Sequence, residues 1–138
     1  MPEGVGYGPQ TTASTGLSLN YIGKHAYAYS GPISAAQTPI TALSFTTGNY
    51  YLVGRINFDG NTQTYTPQTG VEASICLVYF NGILVADMKT GTTSETMPAS
   101  NVTDIIIPPL TEVVMTVDAS SDDANYYATI RLTGRIYK

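Results

Sequence analysis

The feature that most constrains this chain is a residue period of two, carried through nearly every apolar run and never giving way to a helical period. Leu17-Ser18-Leu19-Asn20-Tyr21 alternates apolar with polar, and His25-Ala26-Tyr27-Ala28-Tyr29-Ser30 alternates again. Successive side chains of an extended strand point to opposite faces, so such runs bury one face and wet the other. Residues 40–45, 50–58, 71–80, 83–87, 102–107, 111–117 and 126–137 extend the series of predicted strands. In the long run YYLVGRINF, Tyr50, Leu52, Gly54, Ile56 and Phe58 share the predicted core face. Tyr51, Val53, Arg55 and Asn57 share the other. In the last run, Ala128, Ile130 and Leu132 fall on one face.

The breaks between these runs are turn chemistry. Asn81-Gly82 is the strongest, because a two-residue hairpin turn needs positive φ at both central positions and these two residues tolerate it. Pro108-Pro109 cannot donate to a ladder and ends the strand before it. Gly31-Pro32 and Thr47-Gly48-Asn49 mark further turns, and residues 59–70, 89–101 and 118–125 read as polar loops. Helix-period patterns with caps are absent, and the lack of a fixed-period repeat argues against a solenoid or propeller. Eight or nine one-sided strands predict an all-β, two-sheet antiparallel sandwich. Alternating polar faces argue against a parallel sheet sheathed in helices. At 138 residues the chain fits one domain. Residues 17–138 are assigned to it, and residues 1–16, MPEGVGYGPQTTASTG, read as a flexible N-terminal arm.

Composition narrows the function. Charged residues make up 12% of the chain, against roughly 25% in ordinary soluble domains. Neutral polar groups cost less to dehydrate than charges, so this surface suits burial against a partner. No basic stripe is visible in the sequence, which argues against nucleic acid. No apolar run reaches the roughly 18 residues of a membrane-spanning helix, so no membrane insertion is expected. The start Met1-Pro2-Glu3-Gly4 shows neither the basic nor the apolar region of an export signal.

Chemistry is sparse. One histidine, His25, and one cysteine, Cys76, cannot build a zinc site or a triad, and no Gly-x-Ser-x-Gly elbow or phosphate loop is present. No catalytic residue and no cofactor is expected. Cys76 lies within an apolar run and reads as a small buried hydrophobe. Asp118, Asp122 and Asp123 read as a solvated acidic turn, with calcium as the alternative. Asn101-Val102-Thr103 fits the N-glycosylation pattern, which matters only in a secretory pathway. Tyrosine is abundant, at 11 residues, and it buries a ring while keeping a hydroxyl for water or a partner. His25, Tyr27 and Tyr29 share one strand face and, with Tyr51, form the candidate interface. Tyr65, inside the loop DGNTQTYTPQTG, is the candidate ligand contact.

Four segments in order resemble the C1q/TNF-like jelly roll: NYYLVGRINF, LVYFNGILV, IIIPPLTEVVMTV and the closing Leu132-Thr133-Gly134-Arg135-Ile136-Tyr137. The likeness covers roughly residues 41–137. It implies a jelly-roll sandwich in which Gly54, Phe58, Asn81, Gly82 and Gly134 are structural positions, and it implies a homotrimer. Where that family has Gly-Asp before its late strand, this chain has Pro109-Leu110-Thr111. The segment LNYIGKHAYAYSG, with IIIPP and LTGRIY, resembles small proteins of marine phages and large algal viruses. That resemblance implies a non-enzymatic virion structural protein, made in the host cytoplasm and contacting other virion proteins. Capsid decoration, spike and fibre head are the roles it allows, with binding of a host-surface glycan as the alternative.

Overall fold

A computed structural model describes residues 19–34, 38–60, 74–90, 99–119 and 127–138. The N-terminal arm, Tyr65, Asp122 and Asp123 lie outside the described residues. Ten strands are present: β1 (Asn20–Ile22), β2 (His25–Tyr29), β3 (Ile33–Ser34), β4 (Ile40–Thr46), β5 (Tyr51–Gly60), β6 (Ser74–Phe80), β7 (Ile83–Thr90), β8 (Ala99–Ile107), β9 (Glu112–Ala119) and β10 (Tyr127–Tyr137). They form two antiparallel sheets. The first has the order β1-β2-β10-β5-β8, with β3 also paired to β10, and the second has the order β4-β9-β6-β7. From β4 onward only the β6–β7 hairpin stays within one sheet.

The inward faces are those the alternation predicts. Leu52, Ile56, Phe58, Ile107, Ile130 and Leu132 from the first sheet meet Leu43, Val78, Met88, Val113, Met115 and Val117 from the second, all fully buried. Each such side chain contributes about 1.5–3 kcal/mol of apolar burial. Phe58 is the largest of them. Tyr50 is buried while its neighbour Tyr51 is half exposed, as a period of two requires. Below Leu52 the sheet is thin: Ala26, Gly134 and Gly54 stand side by side on β2, β10 and β5.

Strict alternation fails at two bulges and at Thr129, which is buried between Ala128 and Ile130 with the register unbroken. The β4–β9 register slips between Thr41 and Leu43, so Ala42 and Leu43 are buried together. The β6–β7 register slips between Val78 and Tyr79, leaving Ile83, Leu84 and Val85 exposed in a row. Four loop boundaries also move. Residues Asp59, Lys89, Asn101 and Asp118, read from sequence as loop, pair in β5, β7, β8 and β9 with Thr129, Ile75, Phe58 and Ile75 respectively. Polar composition concealed them, because their neighbours are supplied by the sheet and not by the local run. β3 is a two-residue continuation of β2 past Gly31-Pro32. Ser30 bridges the interruption: its N–H donates to the Ile130 carbonyl at 3.0 Å, and its hydroxyl accepts from the Ile130 N–H at 2.9 Å.

The turns are held by specific groups. Asn81 (φ 51°) and Gly82 (φ 83°) form the expected tight hairpin. Asn81 also docks it on β9, accepting from the Glu112 N–H at 2.9 Å and donating its own N–H to the Glu112 carbonyl at 2.8 Å. At the far end, the buried Thr47 hydroxyl accepts from the Thr111 N–H at 2.9 Å and donates to the Pro108 carbonyl at 2.8 Å. Thr47→Val keeps the shape and removes both bonds, leaving a buried N–H unpaired. It is expected to lower unfolding free energy by about 1–3 kcal/mol, read from the urea midpoint at unchanged m-value. Thr47 thereby closes a turn in which Leu110 sits at φ 54° with its side chain exposed. A side chain at this backbone angle costs about 1–2 kcal/mol, and glycine returns roughly 0.5–1 kcal/mol of that in chain entropy. Leu110→Gly is therefore expected to raise the same midpoint, by about 0.5–1 kcal/mol in free energy.

Candidate functional site

The outer face of the first sheet gathers the residues that the tyrosine pattern singled out. With Ala26 and Ala28 pointing into the core, His25, Tyr27 and Tyr29 must point out. Tyr51 does the same two strands away, opposite Tyr137 on β10. Register places Ile22, His25, Arg135, Val53 and Ile106 in one row across five strands. The next row reads Asn20, Tyr27, Thr133, Arg55 and Asp104, and the one beyond it Tyr29, Arg131, Asn57 and Val102.

The face has two halves of different chemistry. The β5–β8 half is apolar: Tyr51, Val53, Val102 and Ile106 are exposed, Ile106 at 60%. A shallow depression of about 660 Å³ opens here over Gly54, between Val53, Ile106 and the Arg55–Asp104 pair. Arg55 Nε donates to Asp104 Oδ1 at 2.8 Å, and this bond with its charge holds the Asp104 carboxyl below the usual carboxylate range. Both side chains are well solvated, so the pair contributes little stability.

The β1–β2–β10 half carries cations. Lys24, Arg135, Tyr137 and Lys138 line a cavity of about 420 Å³ at its end. The Ile136 N–H donates to the Lys24 carbonyl at 2.9 Å, which ties the β1–β2 turn to β10 and fixes Lys24 beside Arg135. The Arg135 guanidinium lies 6.0 Å from the Tyr137 ring centre. Counting Arg55 and Arg131, five of the chain's six basic residues stand on this sheet or at its end. Among the described residues, only Asp59 and Asp104 offset them there. The outer face of the second sheet has the reverse balance, with Asp87, Glu112 and Asp118 against Lys89. Sequence reading missed this segregation because the six cations are scattered from position 24 to 138.

The remaining candidates are placed apart. Cys76 is buried on the inner side of β6, whereas His25 faces solvent from the other sheet, so the two cannot act together. Burial pushes the Cys76 thiol up to about 12 from an ordinary 9.0, and burial likewise raises the Tyr50 hydroxyl. Tyr50 also shares a hydroxyl contact and an edge-on ring contact with Tyr21. The unfolded chain loses the thiol proton near 9 while the folded chain keeps it to about 12. Stability is thus expected to be unaffected by Cys76 below pH 9 and to fall from there toward 12, visible in alkaline urea titrations. A thiol reagent at pH 8 should label only unfolded protein. Asp118 lies in a strand beside Ile75, and among the described residues no three His, Cys, Asp or Glu side chains converge. No helix of the described residues is long and apolar enough to cross a membrane. Gly54 and Gly134 face each other across β5 and β10, and Asn81-Gly82 forms the β6–β7 turn. The chain matches no protein-family model and no curated protein.

Proposed function

We propose that this protein is a non-enzymatic jelly-roll domain of a virus particle that assembles as a homotrimer through the apolar half of its first sheet. Strand pairing supports the jelly roll. Taking β2 and β4 to β10 as eight strands, first pairs with eighth, second with seventh, third with sixth and fourth with fifth. A folded ribbon with those rungs wraps into two sheets of this order. The virion role is supported by the likeness of residues 19–31 and the IIIPP and LTGRIY segments to small phage and algal-virus proteins.

The observation that carries assembly is the strip Tyr137, Tyr51, Val53 and Ile106, exposed side by side on a sheet face, with Val102 beyond the Arg55–Asp104 row. Contiguous apolar surface on a sheet is a mark of an interaction site. Light scattering on a sizing column tests it: a mass three times the 14.7 kDa chain is expected, and a monomer at high concentration overturns the trimer. A second reading, attachment to a surface carbohydrate, is favoured by Tyr27 and Tyr29, which stand among the cations of the other half.

A further inference from the structure

We infer that the β1–β2–β10 half of the first sheet binds a sulfated polysaccharide, with Lys24 and Arg135 holding a sulfate ester and Tyr27 and Tyr29 packing against sugar rings. The inference rests on the attachment reading; its site shares Tyr137 with the proposed trimer contact, but none of the residues changed in its test.

Charge supplies the first argument. The chain carries a net charge of −4, yet five of its six cations stand on one side of the sandwich. Lys24 and Arg135 meet at one cavity and repel there, and nothing in the fold requires it, because both are exposed at turn or strand positions where uncharged residues would serve. Among the described residues, Lys24, Arg131 and Arg135 have no carboxylate partner. An anionic ligand removes the repulsion.

The cavity supplies the second. Its lining combines Lys24, Arg135, Lys138 and Tyr137 and includes no acidic side chain. Its volume of about 420 Å³ lies within the range of small-ligand clefts. Cations that line it from a turn and from a strand suit a group with several acceptor oxygens. A sulfate ester offers three, as a phosphate does, and the guanidinium fork bonds such oxygens in pairs.

The rings decide between polymers. Tyr27 and Tyr29 stand two residues apart on β2, roughly 7 Å, both exposed, beside Thr133 and Arg131. A tyrosine presents an apolar ring with a hydroxyl at its rim, matching a sugar's C–H face and hydroxyl edge. The cations are sparse: Arg131 and Arg135 lie about 13 Å apart along β10, and Asp59 and Asp104 share the sheet face. Duplex nucleic acid presents one charge per about 1.7 Å, far denser than this surface matches.

The test is calorimetric titration of the whole protein with dextran sulfate and with neutral dextran of equal length, at low ionic strength. Binding to dextran sulfate alone is expected, weakening as salt rises. Arg135→Ala, Arg131→Ala and Tyr27→Ala are each expected to weaken it about tenfold at unchanged melting temperature and mass. Lys89→Ala, on the opposite sheet, is expected to leave it unchanged. No heat with dextran sulfate overturns the inference. So does equal affinity for the Arg135→Ala protein, or for single-stranded DNA of the same total charge. A monomer that binds dextran sulfate supports this inference while removing the trimer.

Discussion

Gly134→Ala lowers the melting temperature by about 10 °C, and Gly54→Ala lowers it comparably. A methyl group at Gly134 falls 2.6 Å from the Val53 carbonyl oxygen and 2.9 Å from the Gly54 Cα; one at Gly54 falls 2.4 Å from the Thr133 oxygen. Those neighbours are backbone atoms of the adjacent strand, so the side-chain adjustment that rescues most overpacked cores is closed off. Relief requires β5 and β10 to move apart at the centre of the first sheet, where β10 is paired on both sides. Overpacking a tight core costs about 1–3 kcal/mol, occasionally more, and this backbone collision belongs at the upper end. For a domain of this size, about 3 kcal/mol corresponds to roughly 10 °C. The effects are coupled, because the two Cα atoms face each other. Either substitution already forces the strands apart, and the double variant is expected to fall short of their sum in a calorimetric cycle. Melting of Gly54→Ala at the wild-type temperature would show that the sheet yields at no cost.

Ile106→Asp is expected to convert the proposed trimer to a monomer at concentrations where the unsubstituted chain assembles. Ile106 is exposed in the single chain, so the substitution leaves the sandwich intact and its melting curve serves as control. In the assembled state a carboxylate would be buried in the apolar strip, close to Asp104 on the same strand. Stranding one unpaired charge in an interface costs about 3 kcal/mol or more, which is at least about a 100-fold loss of affinity for each contact. Sizing with light scattering reads this directly. A trimer that survives both Ile106→Asp and Tyr51→Ala would place the contact on some other surface.

Much of the core was legible because alternation is a local signal. Tyr50, Leu52, Ile56 and Phe58 could be assigned inward from nine consecutive residues, since the strand itself decides which face each takes. The Asn81-Gly82 hairpin was readable for the same reason. Bulges at Ala42 and Val85 were not, because a one-residue slip depends on what the partner strand requires. Nor was the facing of Gly54 and Gly134, separated by 80 positions, which only the β5–β10 register reveals. The tyrosine face was half legible. His25, Tyr27, Tyr29 and Tyr51 could each be put on an outward face, but not on the same one, since nothing local states that β2 and β5 flank β10. The basic half was invisible, as charge clustering depends on which strands become neighbours. Pro109-Leu110-Thr111 was marked by the sequence as a departure from the resembled Gly-Asp pattern, but the positive φ at Leu110 was visible only in the structure.

Among the described residues, the unequal distribution of charge sets up a dipole across the thin axis of the sandwich. Seen from far away it is an anion, repelled by other anions; within a Debye length its orientation decides the sign of the force. A negatively charged surface would therefore turn the first sheet toward itself before any contact forms. Weak retention on a negatively charged resin at neutral pH, lost at modest salt, is the expected sign of that polarity in a protein with an isoelectric point near 4.6.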